Sequence, residues 1–140
     1  MKIINITEIA DFCLALKIRL EVFVKEQGVP VDLEIDEYDA QAHHYLVIAN
    51  DIPVATARLL IQDRCAKVGR FAVLKKYRSQ KVGTLLAEKM KSEAIRFCCT
   101  TIILDAQMQA MGFYKKLGYS IRGESFMDAS IEHIEMVLMI

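Results

Sequence analysis

Between His43 and Leu74 three strand-like runs follow one another with only two short turns between them. The runs are residues 43–49 (HHYLVIA), 54–61 (VATARLLI) and 67–74 (KVGRFAVL). Asn50-Asp51-Ile52-Pro53 turns the chain between the first pair, and Gln62-Asp63-Arg64 between the second. Connections this short join antiparallel neighbours. A helix is then expected over about residues 82–97, with Val82, Leu85, Leu86, Met90 and Ala94 at helical spacing, followed by a β-branched run at 101–104. A strand–helix–strand crossover makes a parallel pair, so the sheet must be mixed.

The flanking segments complete the pattern. Residues 2–6 read as a first strand, and Thr7 as the N-cap of a helix over about residues 8–24. Its apolar positions are Ile9, Phe12, Cys13, Leu16, Leu20 and Phe23, and Gly28 and Pro30 end it. An acidic loop follows, with room for one short helical turn. A long connection in a small domain is often functional. Residues 108–117 read as a short helix stopped by Gly118, and residues 119–123 and 131–140 as two closing strands. The expected fold is α/β, with order β-α-β-β-β-α-β-α-β-β and helices on both faces of the sheet. A length of 140 residues fits one domain.

A chain that is 54% hydrophobic and 26% charged is not disordered. Its net charge of +0 argues against a dedicated nucleic-acid binder. No apolar run reaches signal-peptide or transmembrane length, so no membrane partner is expected. Cys13, Cys65, Cys98 and Cys99 lack disulfide or C-x-x-C spacing, which suits reduced thiols in the cytoplasm. His43, His44, Cys65 and His133 lack zinc-site spacing, so no metal is expected.

The segment with most chemistry runs from Val68 to Leu86. It joins a strand to an apolar-faced helix through a basic loop carrying Lys75, Lys76, Arg78 and Lys81. The first amides of a helix have no intrahelical partner, and the helix dipole favours an anion beside them. Gly83 would let a ligand approach the backbone. The pattern suits a phosphate or pyrophosphate, although it is neither a Walker loop nor a G-x-G-x-x-G fingerprint. An ordinary strand-to-helix turn with a solvated basic loop fits the same residues.

The segment resembles the acyl-CoA loop of the GNAT superfamily of N-acetyltransferases, Q/R-x-x-G-x-G/A. Arg78 takes the first position, Gly83 the last, and Lys81 the usual first glycine. The chain is similar throughout to the small ElaA/YjcF-like branch, which tolerates that lysine. The matching residues are Arg19 to Gln27 (R-x-x-V-F-V-x-E-Q), His44, Ala57-Arg58-Leu59-Leu60 and Gly69-Arg70. Ala106-Gln107, Phe113-Tyr114, Gly118-Tyr119 and Ile131 to Met136 (I-x-H-I-x-M) follow in the same order.

The resemblance implies a GNAT fold that binds acetyl-CoA and transfers its acetyl group to an amine by direct attack. It implies a cofactor-binding loop of Arg78, Ser79, Gln80, Lys81, Val82, Gly83 and Thr84. Backbone amides of Phe71, Ala72 and Val73 would face the thioester, and Gln107 would bond the pantetheine arm. Tyr114 would protonate the departing thiolate; packing beside Phe113 in the core is the alternative. For the general base the candidates are Glu26, His44 and His133; histidine as a residue type suits the role, and the alternatives are strand histidines bonded to backbone and a water relay. Arg19, Arg58 and Arg70 could line a cleft or form structural bridges with Glu26, Asp36 or Glu37. The acidic loop could attract a cationic substrate or simply be solvated. A non-catalytic acyl-CoA sensor and, more remotely, an acyl-homoserine-lactone synthase are the rival readings. The resemblance also leaves a homodimer open.

Overall fold

A computed structural model describes residues 1–140. Strands β1 (Lys2–Asn5), β2 (His43–Ala49), β3 (Ile52–Gln62), β4 (Cys65–Val73), β5 (Thr101–Gln107), β6 (Ser120–Ile121), β7 (Phe126–Asp128) and β8 (Ile131–Met139) form one sheet. Its order is β1-β2-β3-β4-β5-β8-β6, with β7 also on β8. All pairs are antiparallel except β4–β5, which is parallel. The meander and the parallel crossover therefore stand as the two turns and the intervening helix require. Asn50 and Asp51 adopt φ of 50° and 65°, the left-handed pair that a tight hairpin needs.

Helix α1 (Ile9–Arg19) covers one face; α3 (Val82–Arg96) and α4 (Met111–Lys116) cover the other. On the α3 side, Val82, Leu86, Met90 and Ala94 pack with Tyr45, Leu59, Val68, Ile102 and Met136 in the main core. On the α1 side, Ala15, Ile18 and Val22 pack on Leu46 and Ala72. The small Ala15 lets α1 approach the sheet, and its buried stripe is offset from the expected one. Ile9 is 82% exposed and Cys13 is exposed. No helix is long and apolar enough to cross a membrane.

Other local expectations change. The N-cap of α1 is Glu8 rather than Thr7, and no side chain caps it. Beyond Arg19 the helix widens into a π turn over Leu20–Glu26, ending before Gly28 at φ 76°. The acidic loop contains the short helix α2 (Val31–Glu34). The strand after Gly118 shrinks to Ser120–Ile121, and β7 is an addition. The turn from β7 to β8 uses Ala129 and Ser130 at φ 49° and 63°, residue types that give no hairpin signal in sequence.

Candidate functional site

β4 and β5 are paired only from Cys65 opposite Thr101 to Val68 opposite Leu104. Both strands continue, β4 to Val73 along β3 and β5 to Gln107 along β8, but they no longer meet. A bulge drives them apart. The β3–β4 register shifts between Thr56 and Arg58, and Arg70 takes φ 49°. The bulge also reverses the alternation of β4. Val68 faces the α3 core, Ala72 the α1 core, and Phe71 and Val73 the α3 core again.

Backbone alternation then assigns the polar groups of the gap. Leu74 donates its amide to the Val54 carbonyl, so Leu74 and Ala72 direct their backbone groups toward β3. Phe71 and Val73 turn theirs to the open side; the Val73 carbonyl indeed accepts from Arg78 Nε at 2.9 Å. Of the three amides expected at the thioester, Ala72 is thus spent on the sheet. On β5, Ile140 N bonds Thr100 O, so even-numbered residues bond β8 and Asp105 and Gln107 direct theirs into the gap. Two strand edges face each other with no strand between them.

Tyr114 lies on the α3 side of this gap. It is 7% exposed, in edge contact with Phe71 at 6.0 Å, Phe113 at 5.0 Å and Tyr119 at 5.7 Å. The ring packs in the core, as one sequence reading expects, yet its hydroxyl makes no hydrogen bond within the protein. That hydroxyl is also not a fully buried unpaired atom, so it opens onto accessible space. Burial raises the phenol above its ordinary range and keeps it protonated, with Tyr119 adding to the effect.

At the mouth of the gap, β4 leads through a single 3-10 turn (Lys75–Tyr77) into α3. Lys81 is the N-cap at φ 64°, no side chain caps the helix, and the first intrahelical bond is Leu85 N to Lys81 O. The amides of Val82, Gly83 and Thr84 therefore have no helical partner. Gly83 has no left-handed φ, and a Cβ there would meet the Phe113 ring at 3.4 Å, an ordinary van der Waals contact. The left-handed positions are Ser79 and Lys81.

Arg78 is engaged by Glu26 through two bonds of 2.6 and 2.8 Å. That pairing holds the Glu26 carboxyl below its ordinary range, which makes Glu26 a poor proton acceptor. His44 is equally committed. It is buried, its Nε2 lies 2.8 Å from the Asp39 carbonyl, and burial lowers its pKa. His133 differs. It has one ring nitrogen engaged, as His44 has, with Nδ1 2.7 Å from the Ile131 carbonyl, but it is only half-buried, and Phe126 stacks on its ring. Gln107 donates to Gln27 at 2.7 Å and accepts from Gln109 at 2.5 Å, so its side-chain amide is already used and its backbone faces the gap.

The charged residues of the acidic loop close on arginines. Arg19, 1% exposed, bonds Glu34 at 2.7 Å and Asp39 at 2.9 Å. Arg58 bonds Asp36 at 2.7 Å and Asp39 at 3.0 Å. Arg70 bonds Glu34, Asp36 and the carbonyls of Leu33 and Glu34. Three guanidiniums meet three carboxylates, so the cluster is neutral. Burial pushes Asp39 up, but Arg19 and Arg58 outweigh it and hold the carboxyl at about 2. These arginines are structural bridges, with Glu34 and Asp39 as partners the sequence did not single out. The three carboxylates are not free to attract a cation. No group of three His, Cys, Asp or Glu side chains gathers to hold a metal.

The chain matches the acetyltransferase (GNAT) domain family over residues 12–140. It is 40% identical over 124 residues to the uncharacterised N-acetyltransferase YjcF of Bacillus subtilis, covering 88% of this chain and 89% of that one. The crystal structure of Escherichia coli ElaA superposes with a TM-score of 0.86 at 27% identity, covering 97% of each chain. An acyl-CoA N-acyltransferase from Pseudomonas aeruginosa superposes with a TM-score of 0.85 at 26% identity, covering 97% of this chain and 96% of that one.

Proposed function

The chain belongs to the GNAT acetyltransferase family, beside ElaA and YjcF, and from that premise we propose that it moves the acetyl group of acetyl-CoA to a primary amine. It does so as a single acyltransferase domain, by direct attack within a ternary complex. The observation that carries this is the pair of facing, unpaired edges on β4 and β5. Backbone groups inside a protein need partners, and an open edge is a template for another extended chain. The pantetheine arm of CoA is such a chain, with amides of its own to bond Phe71, Val73, Asp105 and Gln107. Likeness to an acyl-CoA N-acyltransferase supports the choice of ligand.

Each remaining part has a role. The amides of Val82, Gly83 and Thr84, with the loop Arg78-Ser79-Gln80-Lys81, bind the pyrophosphate at the start of α3. The amides of Phe71 and Val73 are the donors available to the thioester oxygen as it gains charge. Tyr114 serves the sulfur. A phenol raised by burial is a weaker acid than an ordinary thiol. Tyr114 therefore acts chiefly as a hydrogen-bond donor that stabilises the departing thiolate.

Titration calorimetry with acetyl-CoA at two salt concentrations tests the binding half: saturable binding that weakens with salt is expected. The catalytic half is tested by Tyr114→Phe, for which kcat should fall about a hundredfold while acetyl-CoA affinity stays within twofold. Absence of binding at high protein concentration would remove the proposal. Binding without turnover on any amine would leave a sensor, and an unchanged kcat would take away the role of Tyr114.

A further inference from the structure

Gln107 stands three residues beyond the last paired position of β5, and Phe71 three beyond the last paired position of β4. The extra residue at the Arg70 bulge shortens the reach of β4 by one position, so Gln107 stands level with Ala72. His133 is the cross-strand neighbour of Gln107 on β8. Ala106, Ile134 and Met136 face the α3 core with Tyr114, so Gln107 and His133 project from the opposite face. Tyr114 and His133 thus stand on opposite faces of the sheet at the end of β5. A hydrogen-bond donor for the leaving sulfur and a base for the incoming nitrogen require such an arrangement.

The ring of His133 is set for that task. A carbonyl oxygen can only accept, so Nδ1 carries the hydrogen of the 2.7 Å contact to Ile131. The neutral ring then bears its lone pair on Nε2. Phe126, cross-strand on β7, stacks on the ring with centroids 5.9 Å apart and fixes its plane. The nearby charges on this face are largely spent. Asp105 of β5 pairs with Lys67 at 3.1 Å, and Glu135 of β8 pairs with Arg122 at 2.7 Å. Asp128 of β7 stands two residues beyond Phe126, and Glu132 of β8 bonds Ser125. Of the other two candidates, Glu26 is paired with Arg78, and His44, with one ring nitrogen bonded like that of His133, is buried.

We propose that His133 Nε2 is the base that takes a proton from the substrate ammonium. This rests on the transferase reading above. The alkylammonium carries three N–H protons. One passes to Nε2, giving the imidazolium, and is released to solvent after turnover. Nitrogen then bonds the carbonyl carbon while the C–S bond breaks. A second proton leaves nitrogen and ends on the CoA thiolate; the third stays on the amide.

The test uses the whole chain with acetyl-CoA and a panel of ethanolamine, phenethylamine, spermidine and Nα-acetyl-lysine amide. Two variants separate the ring nitrogens. His133→Asn keeps a donor where Nδ1 stands, and His133→Gln keeps a polar group where Nε2 stands; neither is a base. Both should lose about a hundredfold in kcat/KM at neutral pH. The deficit should shrink as pH rises and the amine loses its own proton. Acetyl-CoA affinity and Tm should stay near wild type. A deficit that is constant with pH, or wild-type rates in either variant, would overturn the role of His133 and leave the transferase reading intact. Failure of the wild type on every amine would overturn both.

Discussion

Two polar regions flank β4, and they are built in opposite ways. On the α1 face, Arg19, Arg58 and Arg70 close on Glu34, Asp36 and Asp39 through bonds of 2.7 to 3.1 Å. In the gap toward β5, backbone groups of Phe71, Val73, Asp105 and Gln107 have no neighbouring strand. The first region uses the residues that look most functional in sequence, and it leaves them no capacity for a ligand. The second is made of main chain, and in the proposed function it is what holds the pantetheine arm. A charged side chain taken from water needs an internal partner, so a saturated cluster reads as architecture. A strand edge without a partner is unfinished architecture and calls for a ligand.

The largest effect should come from breaking the closed region. Arg19→Ala leaves Glu34 and Asp39 buried without their main partner and should cost about 3–5 kcal/mol, measured by urea denaturation. Activity per folded molecule at low temperature should suffer far less than stability. A loss below 1 kcal/mol would show the cluster to be open to water.

Acid should sharpen the contrast next. Asp39 is held at about 2 in the folded chain against an ordinary 3.8. A depressed folded value contributes stability above the ordinary value and loses it as pH falls toward the depressed one. About 2 kcal/mol should disappear between pH 4 and pH 2. His44 acts in the same direction at milder pH. Burial lowers it from 6.5, so below that value the unfolded chain binds a proton the folded chain resists. Stability should therefore start to decline below about pH 6.5, as Tm against pH would show. A flat Tm from pH 7 to pH 3 would contradict both assignments.

The smallest effect belongs to the open region. Lys81 holds φ 64°, a conformation that costs a non-glycine residue about 1 kcal/mol. Lys81→Gly should recover roughly half of that, the rest going to the greater freedom of glycine when unfolded. If backbone amides hold the pyrophosphate, acetyl-CoA affinity should change less than twofold. A tenfold loss would mean that the lysine side chain binds the phosphate instead.

The elements were legible where local signals were strong. The turns at Asn50-Asp51 and Gln62-Asp63-Arg64 and the apolar stripe of α3 placed five elements in order. β7 was not legible, because Ala129 and Ser130 carry none of the usual hairpin chemistry. The buried stripe of α1 was misjudged because helical spacing counts large apolar residues, whereas packing selected the small Ala15. Within the site, Tyr114 and the start of α3 were visible through motif. The silencing of Glu26 and His44 was not, because Arg78 and the Asp39 carbonyl reach them across gaps of 52 and 5 residues.

The amino-acid order by itself determined a mixed sheet with one parallel crossover, a basic loop before an uncapped helix, and the residue types available for acid and base work. Local periodicity and turn chemistry act over a few residues, so such features can be read directly. Only the tertiary structure decided which arginines are spent, that Phe113 lies against Gly83, and that Ala72 gives its amide to β3. It also decided that the open edges of β4 and β5 face each other. Those outcomes depend on which groups meet across the sheet, and a one-residue bulge at Arg70 is enough to reverse them.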